Sequence, residues 1–403
     1  MKILLSAYAC EPDRGSEPEV GLRAMLAAAR DHDVWVLTRT NNLPKLRRVV
    51  ADEALLDRIH LQGIDLGPPA RRAKRLGLLG LHWYYEAWQR EAARTAIELD
   101  RMVDFDVVHH VTFASHWTRA GVSAVRKPFL WGPVGGGVDP IISLFPELGI
   151  RGALEDIGRL ALRRISETRP SVRSLPRVAT LTLVQNVETQ ERLRGAPMVR
   201  TLPNATVVHV GPVLLSSSRE RSVAFVGRLT PWKGARLAVR AFRYVKDPQV
   251  TLRIFGDGPD RRSVERTASR LGLMDRVIFE GQVPRAELID AVARSAVLLH
   301  PAMHDESPLS LAEALCLGTP VVALDHGGPA ELVRWWPRSP CSLVAPSAPS
   351  STAKRLALEV DRFLLRPLEG GPDPLKPDQG FEAGILDAYE TVAGSSSRAR
   401  RRI

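Results

Sequence analysis

Cysteine is scarce in this chain: three residues in 403, at positions 10, 316 and 341. An odd, scattered set offers no disulfide framework and no metal-ligand spacing, which fits a reducing, cytoplasmic setting. Long apolar runs are missing too, since none reaches the roughly 20 residues that a membrane helix needs. The opening MKILLSAYACEP is interrupted at Glu11 and Pro12, too early for a signal peptide, and reads as a first β-strand. No acidic D-x-D pair sits at a strand end, so no metal is expected. His109, His110 and His116 have no thiolate or carboxylate beside them, which argues against zinc. Acids are outnumbered, with 56 Lys and Arg against 45 Asp and Glu, a formal charge of +11. Such an excess favours anionic partners: diphosphate ligands, anionic lipid or nucleic acid. The basic residues are spread over both halves without a known RNA- or DNA-binding motif, so nucleic acid is not the expected partner.

What is present is an alternation. Short, nearly continuous apolar runs read as strands buried on both faces: Ile3–Ala9, Val34–Leu37, Val107–Val111, Phe129–Trp131 and Leu181–Val184. Helical stretches lie between them, for example 20–30, 84–99 and 115–125. The pattern falters at residues 206–220, where Pro212 and the serines 216–218 mark a linker. It then restarts with strands at 223–226, 250–255, 277–280, 296–300 and 320–324, separated by helices at 235–245, 261–271, 285–293 and 309–317. The expected fold class is α/β, with two Rossmann-like doubly wound domains facing a cleft. Residues 1–205 form the first domain and 221–370 the second. Residues 369–380 read as a loop, 381–392 as a last helix and 393–403 as a flexible basic tail.

Chemistry concentrates at strand ends of the second half. FVGRLTPWKG places Gly227 and Arg228 at the close of a strand and Lys233 at the opening of a helix. Arg grips two phosphate oxygens in one plane and Lys adds a point charge, so the pair suits a diphosphate; the plainer alternative is a solvated basic turn. FGDGPD brings Gly256 and Gly258 to the next strand end, where they permit turns closed to other residues. Asp305 and Glu313 stand eight positions apart around a helix start, followed by the Gly327–Gly328 turn. An ionised carboxylate only accepts hydrogen bonds and so suits sugar or ribose hydroxyls.

These strings resemble the second domain of family 4 glycosyltransferases, retaining enzymes of the GT-B fold. The resemblance implies a nucleotide-sugar donor, with Arg228 and Lys233 on its diphosphate, Glu313 on the ribose, and Gly227, Gly256, Gly281 and Val283 lining the nucleotide. It implies an acid at Asp305 on the donor sugar, with Glu306 as the alternative if the loop is one residue short; a helix-capping role for Asp305 also stays open. Leu309 and Ser310 keep backbone donors at the helix start, while Pro308 has none to offer.

In the first half, CEPDRGSEPEVG resembles the opening of a subgroup of that family, with Gly15 and Ser16 near the donor; a simple helix cap by Ser16 is the alternative. VVHHVTFAS offers His110 as a sugar contact, or else as a buried structural histidine. GPVGGGVD offers Gly135 and Gly136 as a floor for the acceptor or an interdomain loop, and Asn204 is placed at the crossover or the sugar. The stretch 71–90, basic and then rich in Trp and Tyr, reads either as an interfacial helix or as a core-packed one. The resulting expectation is a retaining hexosyltransferase without metal or cofactor. Its acceptor would be a glycan, a lipid-linked intermediate or a small molecule, and its location the cytoplasm or the inner membrane face. An epimerase or phosphorylase on the same fold, or a basic nucleic-acid binder, are the other classes.

Overall fold

The computed structural model describes residues 1–12, 15–53, 55–74, 76–206, 219–365 and 380–400. The expected linker lies largely outside them, as does nearly all of the loop at 369–380. The chain divides into two compact units. The first comprises Met1–Gly137, Arg159–Thr206 and Pro377–Ile403; the second comprises Val138–Gly158 and Val207–Lys376.

The first unit holds β1 (Lys2–Ser6), β2 (Asp33–Arg39), β3 (Ile59–Ile64), β4 (Val107–His110), β5 (Phe129–Val134), β6 (Leu181–Val184) and β7 (Val199–Thr201). Their order is β3-β2-β1-β4-β5-β6-β7, and every pairing is parallel. The strands at the centre are buried throughout, as the apolar runs require. β3 alternates buried and open positions, as an edge strand does.

The second unit holds β8 (Glu220–Val226), β9 (Thr251–Phe255), β10 (Val277–Gly281), β11 (Ser295–His300), β12 (Val321–Leu324) and β13 (Cys341–Val344). They run parallel in the order β10-β9-β8-β11-β12-β13. Both sheets therefore reverse direction once, between β1 and β4 and between β8 and β11. In open parallel sheets the crevice for a ligand forms outside the carboxyl ends of the strands at such a switch point.

Three boundary expectations change. Residues 138–158 belong to the second unit, because Leu144 and Leu148 are buried in its core beside Leu237 and Phe242. The stretch 115–125 is not an α-helix: Ser115 bridges to Gly135, and only Gly121–Val125 turns as a 3-10 helix. Finally, the last helix runs from Phe381 to Arg400, so the chain over 393–400 is helical rather than a loose tail. That helix is part of the first unit, where Ile385, Ala388, Tyr389 and Val392 are buried.

Candidate functional site

The second unit's site grows from three loops stitched together at the ends of β8, β9 and β10. Gly227 N donates to the Phe255 carbonyl at 3.0 Å, Leu229 N to Asp257 at 3.0 Å, and Gly256 N to Gly281 at 2.7 Å. The glycines are needed for this closeness. A Cβ on Gly256, whose φ is +123°, would lie 2.1 Å from the Gly227 oxygen, and one on Gly258 would lie 2.3 Å from the Leu229 oxygen. The turn thus holds Arg228 out of the core. Arg228 is exposed, and its guanidinium has no hydrogen-bond or ion-pair partner among the described residues. Val283 is half-buried two residues past the end of β10.

Across the switch point, β11 ends at His300 and leads into residues 301–308. Lys233 closes a 3-10 turn, Pro231–Lys233, and Gly234 follows at φ +79° with the Pro301 carbonyl where a Cβ would be, at 2.1 Å. This brings Lys233 Nζ to 2.5 Å from Asp305 Oδ2, and His300 Nε2 lies 3.3 Å from the same oxygen. Burial pushes the Asp305 pKa up, yet the Lys233 ammonium and the His300 imidazole hold it well below the usual carboxylate range. Asp305 is therefore an ionised acid at the bottom of a cationic corner.

Glu306 sits differently. Its carboxylate accepts from Val138 N at 3.3 Å and lies 3.8 Å from His304 Nε2. The Gly327–Gly328 turn lies on this same loop: Gly328 N donates to the Asp305 carbonyl at 2.9 Å, and a Cβ on Gly328 would meet the Glu306 oxygen at 2.3 Å. The helix Leu309–Cys316 starts after Pro308, and Ser310 Oγ donates to the Val226 carbonyl at 3.4 Å. One turn on, Glu313 is buried against Arg285 at 2.6 Å. Burial raises its pKa and Arg285 counters that.

Sequence reasoning missed His300 and Arg285. His300 had a readable signal, a histidine ending a buried strand just before an acidic loop. Arg285 had none, because its role depends on the approach of the helix Arg285–Arg294 to Glu313.

The remaining sequence candidates lie in the first unit. His109 Nε2 donates to the Gly132 carbonyl at 2.7 Å, which leaves Nδ1 to accept from the Tyr389 hydroxyl at 2.7 Å. His110 lies between Tyr85 Oη and Ser6 Oγ, each at 3.2 Å. Burial pushes the two imidazoles down, to about 4 for His109 and about 3 for His110, where the neighbouring His109 adds to it. Both ring nitrogens of His110 thus have partners inside the unit, as the alternative of a buried structural histidine requires.

Ser16 does not cap its helix; Gly15, at φ +55°, holds the cap position, and Ser16 is exposed. The next residue, Glu17, accepts from Phe113 N at 2.7 Å and from Asn204 Nδ2 at 3.2 Å. Gly135 pairs with the 114–116 backbone, and a Cβ on Gly136 would lie 2.2 Å from Ser115 Oγ. Close packing therefore accounts for these glycines before any acceptor floor does. Of the aromatics in 83–88, Tyr84, Tyr85 and Trp88 are core, while Trp83 is 51% exposed.

Two doubly wound parallel sheets in succession are the arrangement of the GT-B fold, and the comparisons agree on that fold. Residues 212–365 match the model of the family Glycosyl transferases group 1, and the chain carries a domain of that family. It is 34% identical over 179 residues to the 2-deoxystreptamine glucosyltransferase of Streptomyces kanamyceticus, covering 43% of this chain and 46% of that one. It is 35% identical over 141 residues to the GDP-mannose-dependent alpha-mannosyltransferase of Mycolicibacterium smegmatis, covering 35% of each chain. The chain thus spans less than half the length of these two curated relatives. A longer match, to the 2-deoxystreptamine N-acetyl-D-glucosaminyltransferase of Streptomyces fradiae, reaches 80% of this chain and 78% of that one at 27% identity. Among solved structures, HepE of Anabaena covers 99% of this chain with a TM-score of 0.55 at 17% identity. Sucrose-phosphate synthase of Thermosynechococcus elongatus covers all of it with a TM-score of 0.58 at 18% identity. These likenesses show the fold. Among the described residues no cluster of metal-ligating side chains is present, and no helix is long and apolar enough to cross a membrane.

Proposed function

We propose that the chain is a glycosyltransferase that moves a sugar from a nucleotide-diphosphate donor to an acceptor hydroxyl, with retained anomeric configuration. The observation that carries this reading is the second switch point, where exposed Arg228 and the Lys233–Asp305–His300 corner share one set of strand ends. Arg228 grips two phosphate oxygens and Lys233 supplies a point charge. In the resting chain Lys233 is held by Asp305, so the arriving diphosphate takes over the ammonium as one anion replaces another. Asp305, kept ionised, accepts from hydroxyls of the donor sugar, and Glu313 accepts from the ribose.

In the reaction, the bond between the anomeric carbon and the diphosphate oxygen breaks. The acceptor oxygen bonds to the same face of that carbon, and its proton passes to a leaving phosphate oxygen. The two cations stabilise the charge that develops on the diphosphate, so this reading needs neither metal nor cofactor. Support comes from the relatives, which are named for transfer of glucosyl, mannosyl and N-acetylglucosaminyl groups, and from HepE, solved with UDP and with UDP-glucose. The acceptor in this reading is a glycan, a lipid-linked intermediate or a small molecule. Exposed Leu76, Leu79 and Trp83, close in sequence to exposed Arg71 and Arg72, favour a cytoplasmic enzyme that touches an anionic membrane surface.

The test is a panel of nucleotide sugars scored by thermal shift. A donor at 100 times its dissociation constant adds about 2.7 kcal/mol of stability. NMR of the product then reports the anomer. A panel in which no nucleotide sugar raises the melting temperature and none is consumed would remove the assignment.

A further inference from the structure

The first unit carries a cationic cluster of its own, one strand over from its switch-point histidines. β2 ends at Arg39, whose guanidinium lies over the Tyr8 ring, 4.8 Å from the centroid, with Nε donating to the Tyr8 carbonyl at 3.1 Å. Lys74, just past the helix Pro68–Ala73, brings its ammonium to 5.7 Å from the same ring and 5.1 Å from that of Tyr84. Among the described residues the Lys74 ammonium has no ion pair and no conventional hydrogen bond, only the two ring contacts. The Tyr8 residue is 3% exposed, and its buried hydroxyl has only the Arg39 guanidinium, itself a donor, beside it, so no acceptor takes its proton. Burial raises the Tyr8 pKa, so that group stays a protonated donor.

The nearby acids do not satisfy this cluster. Glu11 lies 3.5 Å from Arg39 Nη2 and 3.3 Å from Lys45 Nζ, and so divides its charge between two cations. Asp65 accepts from the Tyr84 hydroxyl and from Arg71. The Lys74 pKa is lowered by burial and by the charge of Arg39, two cations held near one ring. A buried donor left without an acceptor is costly, and a ligand oxygen would relieve that cost. Phe113 stands at the edge of the same ring, with centroids 5.4 Å apart. It is 43% exposed and fixed at φ +52°, with its backbone N–H held by Glu17, so it offers an apolar face beside the cluster.

We infer that Arg39, Lys74 and the Tyr8 hydroxyl form a cradle for a phosphate group carried by the acceptor. The word acceptor rests on the transferase reading above; the cradle itself rests on the cluster. A phosphate has three oxygens for three donors of different kinds, and Arg and Lys together supply the charge. Its source is either a soluble sugar phosphate or a lipid headgroup, and the test separates them.

The full chain is titrated by calorimetry with inorganic phosphate, glucose 6-phosphate and glucose, with UDP present to occupy the second unit. Flotation with vesicles of phosphatidic acid or phosphatidylcholine forms a second arm. Tyr8→Phe removes only the hydroxyl, and Lys74→Gln only the charge. Lys354→Gln, which alters a lysine 5.6 Å from the Tyr244 ring in the other unit, is the control. We expect saturable binding of a phosphate probe, with none for glucose, weakened about tenfold or more by either first-unit substitution and unchanged by the control. Glucose 6-phosphate binding would name the soluble source, and phosphatidic acid binding the lipid source. If UDP stabilises the chain but no phosphate probe binds, or if Tyr8→Phe and Lys74→Gln leave binding intact, the cradle is overturned and the transferase reading stands. Probe binding lost in both variants of a chain that no nucleotide sugar stabilises would keep the cradle and remove the transferase.

Discussion

At the first unit's switch point, the ends of β1 and β4 carry buried neutral groups. Ser6, His110 and Tyr85 form one buried set of hydrogen bonds and His109 and Tyr389 another, both without formal charge. At the second, on the same strand order, Lys233 meets an ionised Asp305 and Arg228 stands exposed. The frame is shared and the filling is not. A neutral network fully engaged within the protein fixes its loops, because each partner lost leaves another group unsatisfied. A corner of paired charges near solvent can trade one anion for another. The contrast says where a diphosphate would act, and it moves the charged chemistry of the first unit one strand over, to Arg39 and Lys74.

The largest effect expected to sharpen this contrast comes from the cations. Arg228→Ala and Lys233→Ala should each lower transfer by about 10²–10³ or more, as the loss of one donor to a developing oxyanion does. Their stabilities should differ. Arg228→Ala should melt like the parent, whereas Lys233→Ala leaves Asp305 buried beside His300 alone and should lower the melting temperature. Normal turnover in both folded variants would remove the phosphate role.

Next in size is the acid pair. Asp305→Asn should depress turnover a few hundredfold, about 2–4 kcal/mol, because an amide places a donor where a hydroxyl must be accepted. Glu306→Gln should cost little turnover, since Glu306 is held by the Val138 backbone. The opposite ranking would transfer the role to Glu306; small effects in both would leave Asp305 as a structural partner of Lys233.

A smaller, graded effect separates the units by pH. His109 and His110 titrate at about 4 and about 3 when folded and near 6.5 when unfolded. Below about 6.5 the unfolded chain binds more protons. The first unit should therefore lose about 1.4 kcal/mol per pH unit for each histidine until the folded values are reached. Asp305 behaves otherwise. Its folded pKa is lowered, so its contribution is present above the unfolded value of about 3.9 and fades only as pH falls below that. Hydrogen exchange, corrected for its intrinsic pH dependence, should show β4 opening between pH 6 and 4 while β8 and β11 hold. Equal loosening of both sheets in that range would erase the distinction.

The smallest expected effect is none at all: excess EDTA should leave transfer unchanged. Loss on chelation, restored by Mn²⁺ or Mg²⁺, would mean that Arg228 and Lys233 do not suffice for the diphosphate.

Much of the second unit was legible in the sequence, because its strands are short apolar runs closed by Gly or Pro and its helices restart at once. Helices read at 261–271 and 285–293 lie at Arg261–Arg270 and Arg285–Arg294. The first unit hid more. β3 and β7 are edge strands whose polar residues break any apolar run. The stretch 115–125 has helical composition, but its backbone is drawn into pairing with Gly135, a contact no local pattern encodes. Among site residues, Arg228 and Lys233 are visible because they flank a strand end. What distinguishes the surroundings of Asp305 from those of Glu306 is the approach of Lys233, from a turn 72 positions earlier, and of His300, at the end of β11 five positions before it.

One feature of the first unit bears on how the protein is made. Its sheet is complete by residue 201, yet its core includes Tyr389, which bonds His109 in the middle of β4, and a helix that runs to Arg400. Ion pairs from Arg23 and Arg30 to Glu382 fasten that helix to the first helix of the chain. During synthesis, strands β1–β7 must wait for residues 381–400, while nearly all of the second unit lies between them in the sequence. Removal of residues 377–403 should thus leave the second unit resistant to protease while the first becomes susceptible.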